Sequence, residues 1–154
     1  MEYVLGVDVG TGGTRAVLVD RSGTIVSSAT SEHLPFASPQ TGWAEQDPHD
    51  WHKAAGSAIR QAIADAGCSP QEVKCAGLAG QMHGAVLLDE NDEVLRPSLI
   101  WCDQRTQAQC DWLNAKLGEA RIIELTCNPA LTNFTLTKLL WVRNNEPDIW
   151  KRFR

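Results

Sequence analysis

Three short apolar runs at the start of the chain, separated by glycine-containing turns, constrain the fold more than any other feature of the sequence. Tyr3 to Val9 forms the first run, Arg15 to Asp20 the second and Thr24 to Ala29 the third. Runs of this length and β-branched character are typical of strands, and turns as short as Arg21 to Gly23 connect antiparallel neighbours. The sequence therefore predicts an antiparallel meander as the beginning of a β-sheet.

A long helix is predicted after the meander. Asp47 suits the N-cap and Pro48 the first helical position, and an alanine-rich apolar stripe then recurs at helical spacing as far as Ala66. Val73 to Ala79 reads as a fourth strand, and a strand reached through a helix usually runs parallel to its predecessor in the sheet. This order predicts an α/β fold with a mixed sheet, in which helix-linked parallel strands follow the meander.

The second half of the chain is expected to contain a loop, a hairpin and two helices. The loop spans residues 80–84, the hairpin joins residues 85–89 to 94–101, and the helices cover residues 104–117 and a stretch that includes 138–144.

Length and composition favour an ordinary globular chain. The 154 residues suffice for one domain, and 43% are hydrophobic and 21% charged. The net charge of -5 offers no basic surface for a nucleic acid, although backbone amides can still bind a nucleotide. No apolar run approaches the ~20 residues of a membrane span, and the first residues lack the pattern of a signal peptide. We therefore expect a cytoplasmic protein with neither a membrane nor a nucleic acid as its partner.

The cysteines are too irregularly spaced to indicate a disulfide framework or a zinc site. We expect them to be reduced and to behave as small buried hydrophobic residues, with a metal or iron–sulfur protein as the alternative. The five are Cys68, Cys75, Cys102, Cys110 and Cys127.

The turn between the first two predicted strands has the chemistry of an anion site. Its glycines can expose backbone N–H groups, its threonines can donate hydroxyl protons and its arginine adds positive charge. Asp8, at the carboxyl end of a buried strand, can hold Mg²⁺ through water. The turn lacks the lysine of a P-loop, and spacing alone leaves an ordinary glycine-rich hairpin equally open. The candidate phosphate-binding residues are Gly10, Thr11, Gly12, Gly13, Thr14 and Arg15.

The pattern Asp-x-Gly-Thr-x-x-x-Arg between two strands resembles the first phosphate loop of the actin-like ATPase superfamily. Four further stretches narrow the resemblance to the FGGY carbohydrate kinases: 42–48 (GWAEQDP), 77–84 (GLAGQMHG), 95–106 and 128–141. The matches run from residue 4 to about residue 147, and residues 77–84 are similar to the xylulokinase branch. Three residues depart from the family pattern: Thr137 stands where proline is expected, and Cys127 and Asn133 where glycine is expected.

The resemblance implies a ribonuclease H-like fold and an activity. Residues 1–154 would be the N-terminal domain of a kinase that uses ATP and Mg²⁺ to phosphorylate D-xylulose. Met82 and His83 would line the sugar pocket, where glycerol kinases carry a charged pair instead, and the imidazole would bond a sugar hydroxyl. Trp101 would pack on the sugar and Asp103 would accept protons from its hydroxyls. A structural histidine, a core tryptophan and a helix-capping aspartate are the alternatives.

The family places the catalytic aspartate and the adenine site in a second domain, so we expect residues 1–154 alone to be inactive. A kinase for another sugar or polyol, such as L-ribulose, gluconate or glycerol, is the nearest alternative. A nucleotide-binding module of the actin or Hsp70 type, without sugar chemistry, is the alternative from another class. The sequence leaves the oligomeric state open, a homodimer included.

Overall fold

A computed structural model describes all residues from 1 to 154. Contacts between residues divide this stretch, which the sequence analysis treats as one domain, into two compact units. The first unit consists of Met1–Pro35 and His49–Gln81, and the second of Phe36–Pro48 and Met82–Arg154. The elements, in chain order, are β1 (Tyr3–Val9), β2 (Gly13–Asp20), β3 (Ile25–Glu32), β4 (Glu45–Gln46), α1 (Pro48–Asp65), a 3-10 turn (Pro70–Glu72), β5 (Val73–Gly80), β6 (Ser98–Leu99), α2 (Gln107–Leu117), α3 (Glu119–Thr126), α4 (Thr135–Asn145) and α5 (Pro147–Arg152).

The first unit contains a four-stranded mixed sheet in the order β3-β2-β1-β5. β1, β2 and β3 are antiparallel neighbours, and β5 runs parallel to β1. Because Val9 lies opposite Gly80, the carboxyl ends of β1 and β5 coincide. The predicted meander and the helix-linked parallel strand are both confirmed.

The core of the first unit follows from alternation in the strands and from the spacing of small residues in α1. Tyr3, Leu5 and Val7 are buried, as alternate residues of a strand with one covered face must be. Ala54, Ala58 and Ala62 are the buried residues of α1 and form a stripe at four-residue spacing. The predicted apolar stripe of this helix is therefore confirmed.

The second unit contains a short two-stranded sheet that the sequence analysis did not predict. β4 pairs with β6 in antiparallel register, Glu45 with Leu99 and Gln46 with Ser98. The expected hairpin of residues 85–101 is reduced to single bridges, Ala85 with Leu99 and Leu88 with Val94, because the segment around β6 pairs mainly with β4. The expected turn at residues 90–93 is present, since the amide of Asp89 donates to the carbonyl of Glu93.

The helices of the second unit confirm part of the prediction and correct the rest. α2 ends at Leu117 as expected but begins at Gln107, three residues later than predicted. α4 includes the predicted stretch, whereas α3 and α5 were not predicted. No helix combines the length and the apolar composition that a membrane crossing requires.

The five cysteine thiols are free, and the prediction that they are buried is correct only for Cys110. Cys75 and Cys127 are exposed, and Cys68 and Cys102 are half-buried. Cys75 is exposed because it lies in β5, whose residues from Lys74 to Gly80 are exposed on both faces of the sheet.

Candidate functional site

The glycine-rich turn lies at the carboxyl ends of β1 and β5, where open α/β sheets usually bind ligands. Asp8 is exposed near the end of β1, with Arg15 of β2 directly opposite and Ala79 of β5 on its other side. The exposed Arg15 places its guanidinium 3.3 Å from the hydroxyl of Ser28. Asp8 and Arg15 are thus paired across β1 and β2 near the turn, while the Arg15 guanidinium reaches Ser28, which lies opposite Val17 and farther from the turn.

The three glycines of the turn have different roles. The amide of Gly10 donates to the carbonyl of Gly13 at 3.0 Å, so this N–H closes the turn and is not offered to an anion. A Cβ atom on Gly13 would stand 2.9 Å from the carbonyl oxygen of Ser31, so the close approach of β2 to β3 requires glycine there. Gly12 is exposed and faces open space, as a residue that a phosphate approaches must.

Thr14 lies in the core of the first unit, contrary to its expected role as a phosphate donor. It is fully buried, and its hydroxyl lies 2.8 Å from Nε2 of His33. His33, for which the sequence analysis found no partners, is also buried, and its amide donates to the carbonyl of Gly12. His33 therefore ties the end of β3 to the glycine turn from the inner side.

Gln81, which directly follows β5, forms hydrogen bonds on the side of the turn opposite His33. Its amide donates to the carbonyl of Val9 at 2.9 Å, and its side-chain oxygen lies 3.5 Å from the hydroxyl of Thr11. The first unit thus brings Asp8, Thr11, Gly12 and Gln81 to one end of its sheet.

The chemistry of this end of the sheet fits one mode of Mg²⁺ binding. No group of three His, Cys, Asp or Glu side chains that could enclose a metal ion is present. Mg²⁺ is commonly held by one or two carboxylates, with waters and substrate phosphates as its other ligands. Asp8 suits such a site, in which the phosphates of a nucleotide complete the coordination.

The loop that contains Met82 and His83 begins the main segment of the second unit. Met82 is 65% exposed, and His83 is half-buried with a backbone φ of 62°, in the left-handed region. The imidazole of His83 packs edge-on against Phe134, with ring centroids 4.7 Å apart. An exposed thioether and an imidazole anchored on one side are suited to contact a small polar ligand.

Lys138 of α4 forms a hydrogen bond with the main chain of this loop. It is completely buried, and its ammonium donates to the carbonyl oxygens of His83 at 2.7 Å and Asn133 at 2.6 Å. Burial lowers the pKa of Lys138 to about 8, although the nearby Asp103 and Cys102 act in the opposite direction. Lys138 lies in the stretch 128–141 that resembles the family, but the sequence does not reveal its bond to His83, which is 55 residues away.

The two other candidate sugar residues differ sharply in exposure. Trp101 follows β6 and is 46% exposed, so its indole does not fill a core. Asp103 is fully buried, and its carboxylate accepts from the amide of Ala44 at 2.7 Å and from the Arg105 guanidinium at 2.7 to 3.0 Å. α2 begins four residues after Asp103, with Thr106 as its N-cap, so the expected capping role of Asp103 is wrong.

A buried charge network fixes the segment that carries Asp103. The Arg105 guanidinium stacks on the Trp43 ring at 3.7 Å and pairs with Glu45 at 2.7 Å. Arg96 pairs with Glu45 at 2.6 Å and with Glu146 at 2.9 Å. Each arginine is thus compensated by carboxylates inside the second unit, as buried charges must be. The sequence analysis did not find this network.

The structure also explains the residues that depart from the FGGY pattern. Thr137 occupies the first turn of α4, where a proline is tolerated because these amides lack partners within the helix, and its hydroxyl contacts the carbonyl of Phe134 at 2.9 Å. Cys127 ends α3 with a φ of 58°, a conformation that favours glycine. Asn133 does not have a positive φ, so its position does not require glycine.

Comparisons with known proteins agree with these features. A family model described as the N-terminal domain of the FGGY family of carbohydrate kinases matches residues 3–154. The chain is 41% identical to a xylulose kinase of Escherichia coli over 148 residues, which are 96% of this chain and 30% of that protein. It is 33% identical to a glycerol kinase of Leifsonia xyli over 152 residues, which are 98% of this chain and 30% of that protein.

Solved structures add the fold. The xylulose kinase from Rhodospirillum rubrum superposes with a TM-score of 0.90 at 28% identity, covering 99% of this chain and 31% of that one. The likeness confirms the expected α/β architecture of the actin-like ATPase type. The chain spans about 30% of the length of the curated relatives that it matches.

Proposed function

The chain belongs to the FGGY family of carbohydrate kinases, and from this premise we propose that it is the N-terminal part of an enzyme that transfers the γ-phosphate of ATP to D-xylulose. The similarity of the whole chain to xylulose kinases supports this reaction. Because the chain spans only about 30% of these relatives, we assign the general base and the adenine site to the remaining part of the enzyme. Residues 1–154 alone are then inactive.

The observation that carries the proposal is the Met82–His83 loop. Met82 is exposed and His83 is anchored by Phe134, so a thioether and an imidazole would be offered to the sugar from a fixed support. A neutral imidazole offers one donor and one acceptor, which suits a hydroxyl-rich ketose. The exposed Trp101 would supply an apolar surface for the carbon atoms of the sugar.

The phosphate-binding part of the proposal rests on the half-buried Thr11 and the exposed Gly12 of the turn and on the exposed Arg15 of β2. Thr11, Gly12 and Arg15 would bind phosphate oxygens, while Gly13 and Thr14 shape the turn from within. Asp8 would orient Mg²⁺ through bound water, and the metal supplies charge neutralisation on the phosphates when it is present. Phosphoryl transfer depends mainly on such positioning and charge stabilisation.

Replacing His83 in the complete enzyme tests the sugar site. We expect His83→Ala to lower kcat/KM for D-xylulose about 5- to 150-fold, the equivalent of ~1–3 kcal/mol for a lost hydrogen bond, with KM for ATP nearly unchanged. The exposed His52 of α1 provides the matched control, and His52→Ala should leave both constants unchanged. An unaltered kcat/KM for D-xylulose in the His83 variant would show that this histidine is structural.

Replacing Asp8 tests the metal role separately. Asp8→Asn keeps the shape of the side chain but removes its charge, so Mg²⁺-dependent turnover should be lost. The control is Asp65→Asn, which changes an exposed aspartate at the end of α1. Retained turnover at ordinary Mg²⁺ concentrations in the Asp8 variant would reject the role.

A second candidate substrate is glycerol, since a glycerol kinase is 33% identical to this chain. A panel of D-xylulose, L-ribulose, gluconate and glycerol, tested with the complete enzyme, separates these substrates. Protection of residues 80–84 from hydrogen exchange by sugar would exclude a nucleotide-binding module without sugar chemistry. The same loop unprotected by every sugar would favour that module.

A further inference from the structure

Lys138 makes a contact that a merely space-filling residue of α4 would not make. Its ammonium reaches two main-chain carbonyls, one on His83 and one on Asn133, and no part of the side chain is exposed. These carbonyls belong to segments 50 residues apart in the sequence. One buried cation thus fastens the Met82–His83 loop to the segment that leads into α4.

The backbone of His83 needs such a fastening. A φ of 62° lies in the left-handed region, which side chains with a Cβ atom adopt only when their surroundings hold them there. Two contacts connect His83 to the same segment of the chain. Its ring packs on Phe134, and its carbonyl accepts from the Lys138 ammonium, which also donates to the carbonyl of Asn133, the residue before Phe134. Movement of this segment would therefore turn the imidazole.

We propose that Lys138 is a positioning residue for the sugar site, which holds His83 in its left-handed conformation and so fixes the direction in which the imidazole meets the substrate. This inference rests on the proposed function, in which His83 contacts the sugar.

The character of Lys138 supports a positioning role over simple packing. A buried ammonium is costly unless hydrogen bonds compensate it, and an apolar side chain would fill the same space without that cost. Burial lowers the pKa of Lys138 to about 8, and the charged or titratable groups that oppose this effect are Asp103 and Cys102. The hydrogen bonds to the two carbonyls are what an ammonium supplies here and an apolar side chain would not.

The test uses the complete enzyme with Lys138→Met, which keeps an unbranched side chain of similar size but removes the donor. We expect KM for D-xylulose to rise roughly tenfold while KM for ATP stays within about twofold of the wild-type value. Lys116→Met is the matched control, because it makes the same substitution at an exposed lysine in the last turn of α2. Its KM values should remain those of the wild type.

A double-mutant cycle shows whether Lys138 acts through His83. In the His83→Ala background, Lys138→Met should change KM for D-xylulose less than about twofold, because the side chain to be oriented is gone. The same tenfold rise in both backgrounds, or no rise in the wild-type background, would overturn the inference. If His83→Ala itself has no effect on sugar use, the proposed function of His83 fails first, so the two failures are distinguishable.

A measurement on the wild-type enzyme covers the case in which Lys138→Met does not fold. Raising the pH from 7.5 to 9 removes the proton from a growing fraction of Lys138 and weakens its bonds to the carbonyls. KM for D-xylulose should rise over this range in the wild type and stay flat in the His83→Ala variant. Equal slopes in the two proteins would contradict the inference.

Discussion

The hydroxyl group of Thr14 lies 2.8 Å from Nε2 of His33, and both side chains are buried. The amide of His33 also donates to the carbonyl of Gly12, so this histidine supports the glycine turn by two contacts. Thr14 therefore serves the shape of the turn, whereas Gly12 is exposed.

Replacing Thr14 should affect folding more than nucleotide binding. Thr14→Val leaves a nitrogen of the buried His33 without its partner, so we expect the free energy of unfolding to fall by ~1–3 kcal/mol, with KM for ATP changed less than about threefold. Thermal unfolding and steady-state kinetics of the complete enzyme measure the two quantities. Thr30→Val, on the exposed part of β3, is the control and should change neither. A large rise in KM for ATP at unchanged stability would instead place the Thr14 hydroxyl at the phosphate.

Asp103 offers a second contrast between stability and substrate binding. Its carboxylate is surrounded by the amide of Ala44 and the guanidinium of Arg105 and is completely buried. Asp103→Asn would leave Arg105 partly uncompensated, and breaking a buried pair of this kind typically costs ~3–5 kcal/mol. We expect a melting temperature lower by several degrees, and sugar kinetics that are normal for the fraction still folded. The exposed Asp111→Asn is the control; a specific loss of sugar use without destabilisation would restore Asp103 to the sugar site.

The elements that the sequence predicts well are those with strong local patterns. β1 and α1 begin and end within a residue or two of their expected bounds, because an apolar, β-branched run marks the strand and a proline at the first helical position with an apolar stripe marks the helix. α3 was not predicted because Gly118 is both the C-cap of α2 and the N-cap of α3. A glycine that indicates the end of one helix here also precedes the beginning of the next. The predicted hairpin partner of β6 is present only as the single bridge between Ala85 and Leu99, since its main partner β4 lies about 50 residues away and only tertiary packing selects it.

The candidate site residues likewise fall into those whose surroundings the sequence predicts and those whose surroundings depend on tertiary packing. Exposure of Met82, Gly12 and Asp8 agrees with positions chosen from a family motif. The partners of Thr14, His83 and Asp103 are His33, Lys138 and Arg105, and two of these three pairs join residues at least 19 positions apart. Motif comparison identifies residues near a ligand, but it does not say which of them face it and which support it from behind.

Cys127 provides a prediction about stability alone. It ends α3 in the left-handed conformation and is exposed, so a side chain there adds strain without packing. Cys127→Gly should raise the free energy of unfolding by roughly 0.5–1 kcal/mol, since relief of strain exceeds the greater flexibility that glycine gives the unfolded chain. Cys127→Ala removes the thiol but keeps the Cβ atom, so it should not stabilise. Equal melting temperatures for the glycine and alanine variants would refute the explanation.

Lys138 predicts a definite pH dependence of stability. Its pKa is about 8 in the folded protein and close to its ordinary value of 10.5 in the unfolded chain. Between these values the unfolded chain binds a proton that the folded protein does not, so the stability of the wild type should rise with pH relative to Lys138→Met. A difference of 2.5 pKa units sets an upper limit of about 3 kcal/mol on this gain.

The comparison with the variant is essential, because Cys102 and Cys110 titrate in the same range. Burial raises the pKa of both thiols, which lowers the stability of either protein as the pH increases. The effect of Cys110 is shared and cancels in the difference. The Lys138 ammonium lowers the pKa of Cys102, so its removal makes the stability of Lys138→Met fall more steeply with pH and adds to the expected difference. Melting temperatures of wild type, Lys138→Met and Lys116→Met, taken from pH 7 to 10, supply the measurement. The wild-type curve should rise relative to that of Lys138→Met and run parallel to that of Lys116→Met. Parallel curves for wild type and Lys138→Met would mean that the buried ammonium keeps its proton throughout, held by Asp103 and the two carbonyls more strongly than burial opposes it.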